Sequence, residues 1–114
     1  MNITIVSGSQ RANSQSLNVA NYLQTLATTH FDQCTILDLH QLELPFWNEG
    51  VWQGSDVWAQ WTPIAETLKQ SDAFIFITPE WHGMATPALK NFLMLVTDEE
   101  MAHKPALLVS VSAS

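Results

Sequence analysis

Cysteine and basic residues are both scarce in this chain. Its 114 residues include one cysteine, Cys34, which excludes an internal disulfide framework and a thiolate pair for a metal. Lys and Arg together number 4 against 11 Asp and Glu, and the formal net charge is -7. Nucleic acids and anionic membrane surfaces attract basic faces, so neither partner is expected. A lone thiol fits a reducing compartment, and we expect the protein to be cytoplasmic.

Long apolar runs and metal-binding spacings are absent as well. No apolar stretch approaches the roughly 20 residues that span a bilayer. The opening residues, MNITIVSGS, have no positive charge before their apolar part, so they indicate a β-strand and not a signal peptide. The 4 histidines are far apart, and none has a neighbour at the spacing of a metal site. We therefore expect a soluble protein without a metal.

The chain does contain apolar strands that alternate with helical patterns. The strands are near-continuous runs of Val, Ile, Phe and Leu, which is typical of strands buried on both faces. Leu17, Ala20, Leu23 and Ala27 recur at helical spacing after Ser14. The predicted strands cover residues 2–7, 34–39, 72–78 and 106–112, and the predicted helices cover 14–27, 57–70 and 85–97.

This order of elements predicts one α/β domain over residues 1–114. The expected fold is a doubly wound parallel sheet between two helical layers. Such a sheet continues into a further helix and strand, whereas the printed chain stops at VSVSAS, just after its fourth strand. We therefore expect a C-terminal helix and strand to be missing from this chain.

A dense group of aromatic side chains follows the second predicted strand. We expect part of the group to cover a pocket or a contact between subunits, and a core position is an equal alternative for each member. The group consists of Phe46, Trp47, Trp52, Trp58 and Trp61.

The loop after the first strand combines several groups that bind phosphate. Ligands of open parallel sheets bind outside the carboxyl ends of the strands, which selects residues 8–16, 79–86 and the chain from 112 onward. A helix start offers unpaired N–H groups and a dipole that favours anions, and Arg11 can bind an oxyanion in a bidentate way. A capped helix with a solvated arginine is the alternative. The candidate phosphate ligands are Ser9, Arg11, Ser14, Gln15 and Ser16.

Two common phosphate-binding motifs are absent, which narrows the ligand. The chain has neither G-x-G-x-x-G nor G-x-x-x-x-G-K-[ST]. Neither a Rossmann dinucleotide site nor a P-loop nucleotidase is therefore supported.

The loop after the third strand, within TPEWHGMATPALKN, favours a planar ring. Pro79 fixes the backbone at the strand's end, and Gly83 permits a close approach to a ligand. Trp81 and His82 supply flat surfaces. A packing role for these two side chains is the alternative.

Five segments in this order resemble the NADPH-dependent FMN reductase family, whose flavodoxin-like members include quinone, azo-dye and chromate reductases. They are GSQRANS, LPFWNE, SDAFIFITPEWHG, TPALKN and KPALLVSVSAS. The resemblance implies a flavodoxin-like fold, FMN as the cofactor and NADPH or NADH as the co-substrate. It places the FMN phosphate on the first loop and the isoalloxazine ring between the second loop and the loop after the fourth strand. The implied FMN-binding residues are Ser9, Arg11, Ser14, Gln15, Ser16, Pro79, Glu80, Trp81, His82, Gly83, Ser112 and Ser114.

The activity implied by this resemblance is electron transfer from a reduced nicotinamide through FMN to a quinone, a flavin or a similar small-molecule acceptor. The cofactor performs that chemistry, so no catalytic side chain is assigned. The expected assembly is a homodimer or homotetramer. A flavodoxin-type electron carrier and a flavin-free interaction or regulatory remnant of the fold stay open as alternatives. A paired-carboxylate hydrolase built on Asp38 and Glu80 is a further alternative.

Overall fold

A four-stranded parallel sheet organises the protein in a computed structural model that describes residues 1–112. The strands are β1 (Asn2–Ser7), β2 (Gln33–Asp38), β3 (Ala73–Pro79) and β4 (Ala106–Val111). Their order across the sheet is β2-β1-β3-β4, and every neighbouring pair is parallel. The carboxyl ends of β1 and β3 therefore lie side by side, with Ser7 opposite Ile77.

Five α-helices connect or follow the strands in the described residues. They are α1 (Gln15–Ala27), α2 (Leu39–Leu42), α3 (Trp61–Lys69), α4 (Pro87–Leu95) and α5 (Asp98–Met101), with 3-10 turns at Glu49–Trp52 and Asp56–Trp58. α1 covers one face of the sheet, whereas α3 and α4 cover the other. The sheet is thus doubly wound between two helical layers, which confirms the predicted fold class.

The central strands contribute side chains to the cores on both faces of the sheet. Ile3 and Ile5 of β1 join the core beneath α1, whereas Val6 joins the core beneath α3 and α4. Successive side chains of a strand point to opposite faces, so an apolar strand fills two cores at once. This requirement explains why the strands are near-continuous apolar runs.

Helix α3 begins later than the sequence predicts. The helical spacing indicated a start at residue 57, but residues Asp56–Trp58 form a 3-10 turn and the helix starts at Trp61. Proline has no N–H to donate and is tolerated in the first helical turn, where that N–H would be unpaired anyway. Pro63 lies in that first turn and therefore fits a helix that starts at Trp61.

The aromatic group divides between core and surface. Trp58 and Trp61 are buried in the core beneath α3 and α4, and the Trp61 ring meets Phe92 edge to face at 5.7 Å. Phe46 and Trp52 are exposed, at 85% and 63%. The core alternative is therefore realised by Trp58 and Trp61, whereas the role of the exposed Phe46 and Trp52 at a pocket or a contact between subunits stays a prediction.

Strand β4 forms one border of the described sheet. It pairs with β3 on one side, and its Leu107 and Leu108 side chains are 56% and 77% exposed. Its carboxyl end, which includes Val111, still lies beside that of β3, where the register pairs Val111 with Pro79. The end of β4 is thus available to form part of a site at this edge of the sheet.

Candidate functional site

The loop between β1 and α1 presents a helix start at the carboxyl edge of the sheet. Ser14 caps α1, and its hydroxyl oxygen accepts the Leu17 N–H at 3.0 Å. Asn13 adopts a left-handed backbone with φ of 52°, which turns the chain sharply into the helix. The first turn of α1 contains no acidic residue, so no side chain there compensates the positive end of its dipole.

A cavity of about 350 Å³ lies between this loop and the ends of β3 and β4. Its walls bring together residues from all three segments that the sheet rule selected. The lining residues are Ser9, Arg11, Ser14, Gln15, Ser16, Pro79, Glu80, Trp81, Val111 and Ser112. All of these except Val111 are residues that the sequence predicts for FMN binding, although they lie up to about 100 positions apart.

Three predicted residues do not line this cavity. His82 and Gly83 form the tip of a turn beside it, and Ser114 lies outside the described residues. Val111 is the residue that the sequence reasoning missed. The signal for it was present, because it immediately precedes Ser112 at the carboxyl end of a buried strand.

The floor of the cavity is polar and has spare hydrogen-bonding capacity. Ser9 and Ser16 are each only 1% exposed. Within residues 1–112 the Ser16 hydroxyl has no hydrogen-bond partner, whereas the Ser9 oxygen accepts the Arg11 N–H at 3.1 Å. Buried hydroxyls are normally bonded, so an unpartnered one in a cavity wall fits a ligand that accepts a hydrogen bond.

Two charged side chains of opposite sign border the cavity. Arg11 is exposed and makes no ion pair in residues 1–112, although the chain is strongly acidic. Glu80 is also exposed, and its carboxylate is engaged by neighbouring groups. The Arg11 guanidinium lies at the end of the cavity beside α1, and the bonded Glu80 carboxylate lies at the opposite end. An anion is therefore expected to bind at the end beside α1.

The loop after β3 closes into a two-residue hairpin. The Trp81 N–H donates to the Met84 carbonyl at 3.0 Å, and the Met84 N–H donates back at 3.1 Å. His82 and Gly83 between them have φ of 55° and 73°, the positive values that a type I′ turn needs at both central residues. The structure therefore gives these two residues a role in the turn, and their contact with a flavin ring stays a prediction.

Glu80 joins the hairpin to the end of β4. Its carboxylate accepts the Gly83 N–H at 2.6 Å and the Ser112 hydroxyl at 3.4 Å, and its own N–H donates to the Val111 carbonyl at 3.0 Å. The two walls of the cavity are thus bonded to each other. Pro79, Trp81 and Val111 add apolar surface beside the polar floor, which is the usual mixture in a small-molecule site.

A larger cavity, of about 540 Å³, lies between α2 and the start of α4. Its lining includes Gln10, His40 and Phe46. It contains neither an unpartnered buried hydroxyl nor an arginine, and the Ala88 and Leu89 N–H groups at the start of α4 are already bonded to Gln10 and Thr86. Chemistry rather than size therefore favours the smaller cavity as the candidate site.

The described residues contain neither a metal-binding cluster nor a membrane-spanning helix. In residues 1–112 no three His, Cys, Asp or Glu side chains are grouped to hold a metal ion. No helix in the same range is long and apolar enough to cross a bilayer.

Known proteins resemble this chain in both sequence and fold. It is 30% identical over 112 residues to an NADPH azoreductase from Bacillus sp. (strain OY1-2), an alignment that covers 98% of this chain and 59% of the relative. It is 31% identical over 114 residues to a quinone reductase from Pseudomonas putida, covering 96% and 59%. The chain thus spans 59% of the length of these two curated relatives.

A solved structure of a known protein has a similar fold. The apo form of an NADH:FMN oxidoreductase superposes with a TM-score of 0.79 at 22% identity, covering 99% of this chain and 59% of that protein. The fold is therefore flavodoxin-like, as the resemblance implied. The family model described as NADPH-dependent FMN reductase matches residues 1–114. The chain belongs to the NADPH-dependent FMN reductase family.

Proposed function

We propose that this chain binds FMN in the 350 Å³ cavity and acts as an NAD(P)H-dependent oxidoreductase. The observation that carries the proposal is a combination at one cavity: the start of α1, a buried Ser16 hydroxyl and an Arg11 guanidinium, the last two without a partner in the described part of the chain. These groups fit a phosphate dianion, and the family to which the chain belongs is named for FMN. Because the chain spans only 59% of the length of the related azoreductase, the activity of the whole protein is part of this proposal.

The phosphate end of the cofactor would be held by the first loop. The hydroxyls of Ser9, Ser14 and Ser16 donate to phosphate oxygens, Gln15 offers its amide, and Arg11 supplies the balancing positive charge. All three serines are buried, and the Ser9 and Ser14 oxygens each accept a backbone N–H, which holds these two side chains in place before a ligand arrives. Preorganised donors lose little conformational entropy on binding.

The ring end would lie between the hairpin and the end of β4. Pro79, Trp81 and Val111 exclude water there, and Glu80 and Ser112 keep the two walls at a fixed separation. Bound FMN supplies the redox-active ring through which electrons of a reduced nicotinamide reach an acceptor. The protein residues bind and orient, and we assign none of them to proton transfer.

The acceptor that we propose is a quinone, a flavin or a similar small molecule. The azoreductase and quinone reductase among the relatives support this class. We also propose that the protein assembles as a homodimer or homotetramer. The exposed apolar side chains Phe46, Met84 and Met94 support a contact between copies, and sedimentation analysis tests it.

Two measurements test the proposed function. Reconstituted protein is expected to retain a flavin absorption band after desalting and to oxidise NADPH or NADH in the steady state with a quinone. A flavin band without steady-state turnover would identify an electron carrier instead. A colourless protein that FMN cannot reconstitute would overturn the proposal in favour of a flavin-free role.

A further inference from the structure

Residues 8–14, between β1 and α1, form the phosphate loop of the proposed site. Two of its backbone carbonyls are held by side chains that do not line the cavity. The Thr86 hydroxyl donates to the Gly8 carbonyl. The His40 Nδ1 atom lies 3.0 Å from the Gln10 carbonyl oxygen. A carbonyl only accepts, so Nδ1 carries the proton in this contact. Both donors approach the loop from the side of α2 and α4, behind the cavity.

These contacts fix the direction of two N–H groups. The peptide bonds are trans, and in a trans peptide the C=O and the following N–H point in opposite directions. Holding the Gly8 and Gln10 carbonyls at the back therefore turns the N–H groups of Ser9 and Arg11 to the front. The Arg11 N–H donates to the Ser9 hydroxyl oxygen in the cavity wall at 3.1 Å, which leaves the Ser9 hydroxyl proton free to be donated to a ligand.

Thr86 is well placed to hold the loop rigidly. It is fully buried at 0% exposure, and its hydroxyl oxygen also accepts the Leu89 N–H at 3.1 Å as the cap of α4. A second contact runs in the opposite direction, because the Gln10 side-chain amide oxygen accepts the Ala88 N–H at 3.1 Å. The phosphate loop and the first turn of α4 are thus tied together in both directions.

We propose that Thr86 and His40 are positioning residues for phosphate recognition, which direct the Ser9 N–H and, through the Arg11 N–H, the Ser9 hydroxyl without contacting the ligand. This inference rests on the proposed FMN function. It adds two residues that lie outside the binding loop, 78 and 30 positions from the carbonyls they hold. Riboflavin has the ring of FMN and lacks its phosphate, so the pair of ligands separates phosphate positioning from general stability.

The test compares FMN and riboflavin dissociation constants by fluorescence quenching. Thr86→Val keeps the side-chain shape and removes the hydroxyl, and we expect FMN affinity to fall 10- to 100-fold with riboflavin affinity within twofold of wild type. Thr86→Ser restores the hydroxyl and should recover FMN affinity. His40→Phe removes the second donor at a half-buried position, and should lower FMN affinity 3- to 10-fold, again without a change for riboflavin.

Thr97→Val provides a control for the loss of a helix-capping hydroxyl, at an exposed position. Thr97 also caps a short helix through its hydroxyl, in α5, and does not line the cavity. We expect its ratio of FMN to riboflavin affinity to match wild type. Equal losses for both ligands in Thr86→Val, or an unchanged FMN affinity in both Thr86→Val and His40→Phe, would overturn the inference.

Failure of the proposed function would look different. If the wild-type protein bound FMN no more tightly than riboflavin, that result would contradict the proposed phosphate site. The positioning claim is then decided in the protein without ligand, by amide hydrogen exchange of Ser9 and Arg11. Faster exchange in Thr86→Val than in Thr97→Val is expected, and equal exchange in the two variants would overturn the claim.

Discussion

The loops that follow β1 and β3 leave neighbouring strand ends but use their polar groups in opposite ways. Residues 8–14 lead to a helix whose first turn contains no acidic residue. Arg11 in this loop makes no ion pair within the described residues. Residues 80–86 instead close into a hairpin whose Trp81 and Met84 backbone groups bond each other. The first loop has hydrogen-bonding capacity left for a ligand, whereas the second has used its own.

The contrast indicates how one cavity can hold a molecule with two different ends. Spare donors and a positive charge suit a phosphate. A self-satisfied hairpin can expose Trp81 and Pro79 as flat apolar surface without leaving its backbone unpaired. Substitutions at four positions test this difference, in order of decreasing expected effect.

Gly8→Ala should have the largest effect, because Gly8 supports both loops. A Cβ at this position would lie 2.5 Å from the Ile77 carbonyl oxygen of β3, so the central strands would have to separate. We expect the free energy of unfolding in urea to fall by about 2 to 3 kcal/mol. Gly50→Ala is the control, since the atom nearest its Cβ would be the Asn48 side-chain oxygen, at 2.7 Å in an exposed turn, and no strand backbone would have to move. Equal losses in the two variants would contradict the steric account.

Arg11→Ala should remove the anion preference of the first loop. We expect FMN binding to weaken by about 1.5 to 3 kcal/mol, the usual scale of a charge-assisted hydrogen bond, with riboflavin binding unchanged. Lys90→Ala is the matched control, because Lys90 is an exposed cation that does not line the cavity. Fluorescence titration measures both, and unchanged FMN affinity in Arg11→Ala would mean that the loop is misassigned.

Gly83→Ala should strain the second loop without blocking it. No atom lies within 4 Å of a Cβ at this position, but φ is +73°, so the cost is torsional. We expect a loss of about 1 to 2 kcal/mol in unfolding free energy. His82→Asn is the control, since Asn tolerates positive φ and should change stability by less than about 0.5 kcal/mol. A harmless Gly83→Ala would argue against the hairpin geometry.

Glu80→Ala and Glu80→Gln should have the smallest effects and separate charge from geometry. Removing the carboxylate leaves the Gly83 N–H and the Ser112 hydroxyl without this acceptor at an exposed position, for an expected loss of about 1 kcal/mol. Gln keeps an acceptor oxygen and should restore most of it. Thermal unfolding followed by tryptophan fluorescence measures both, and equal losses would show that the charge matters more than the bond.

Sequence reasoning predicted most of the fold because its signals are local. The apolar runs of β1 and β3 and the helical spacing of α1 identify themselves within a few residues. β2 is observed one residue earlier than predicted, at Gln33–Asp38, and the short α2 lies where an irregular loop was expected. These errors fall at element ends and in a region rich in Pro, Gly and Trp, where packing decides the local conformation.

By itself, the sequence determined the order of strands and helices and the chemical character of the two loops, since apolar periodicity and helix capping act over three or four residues. Only the tertiary structure decided that residues from three separate segments, 9–16, 79–81 and 111–112, line one cavity. It also decided that Thr86 and His40 hold the phosphate loop from behind. The reason is physical: hydrogen bonds between residues tens of positions apart depend on strand order and helix packing, which no local pattern encodes.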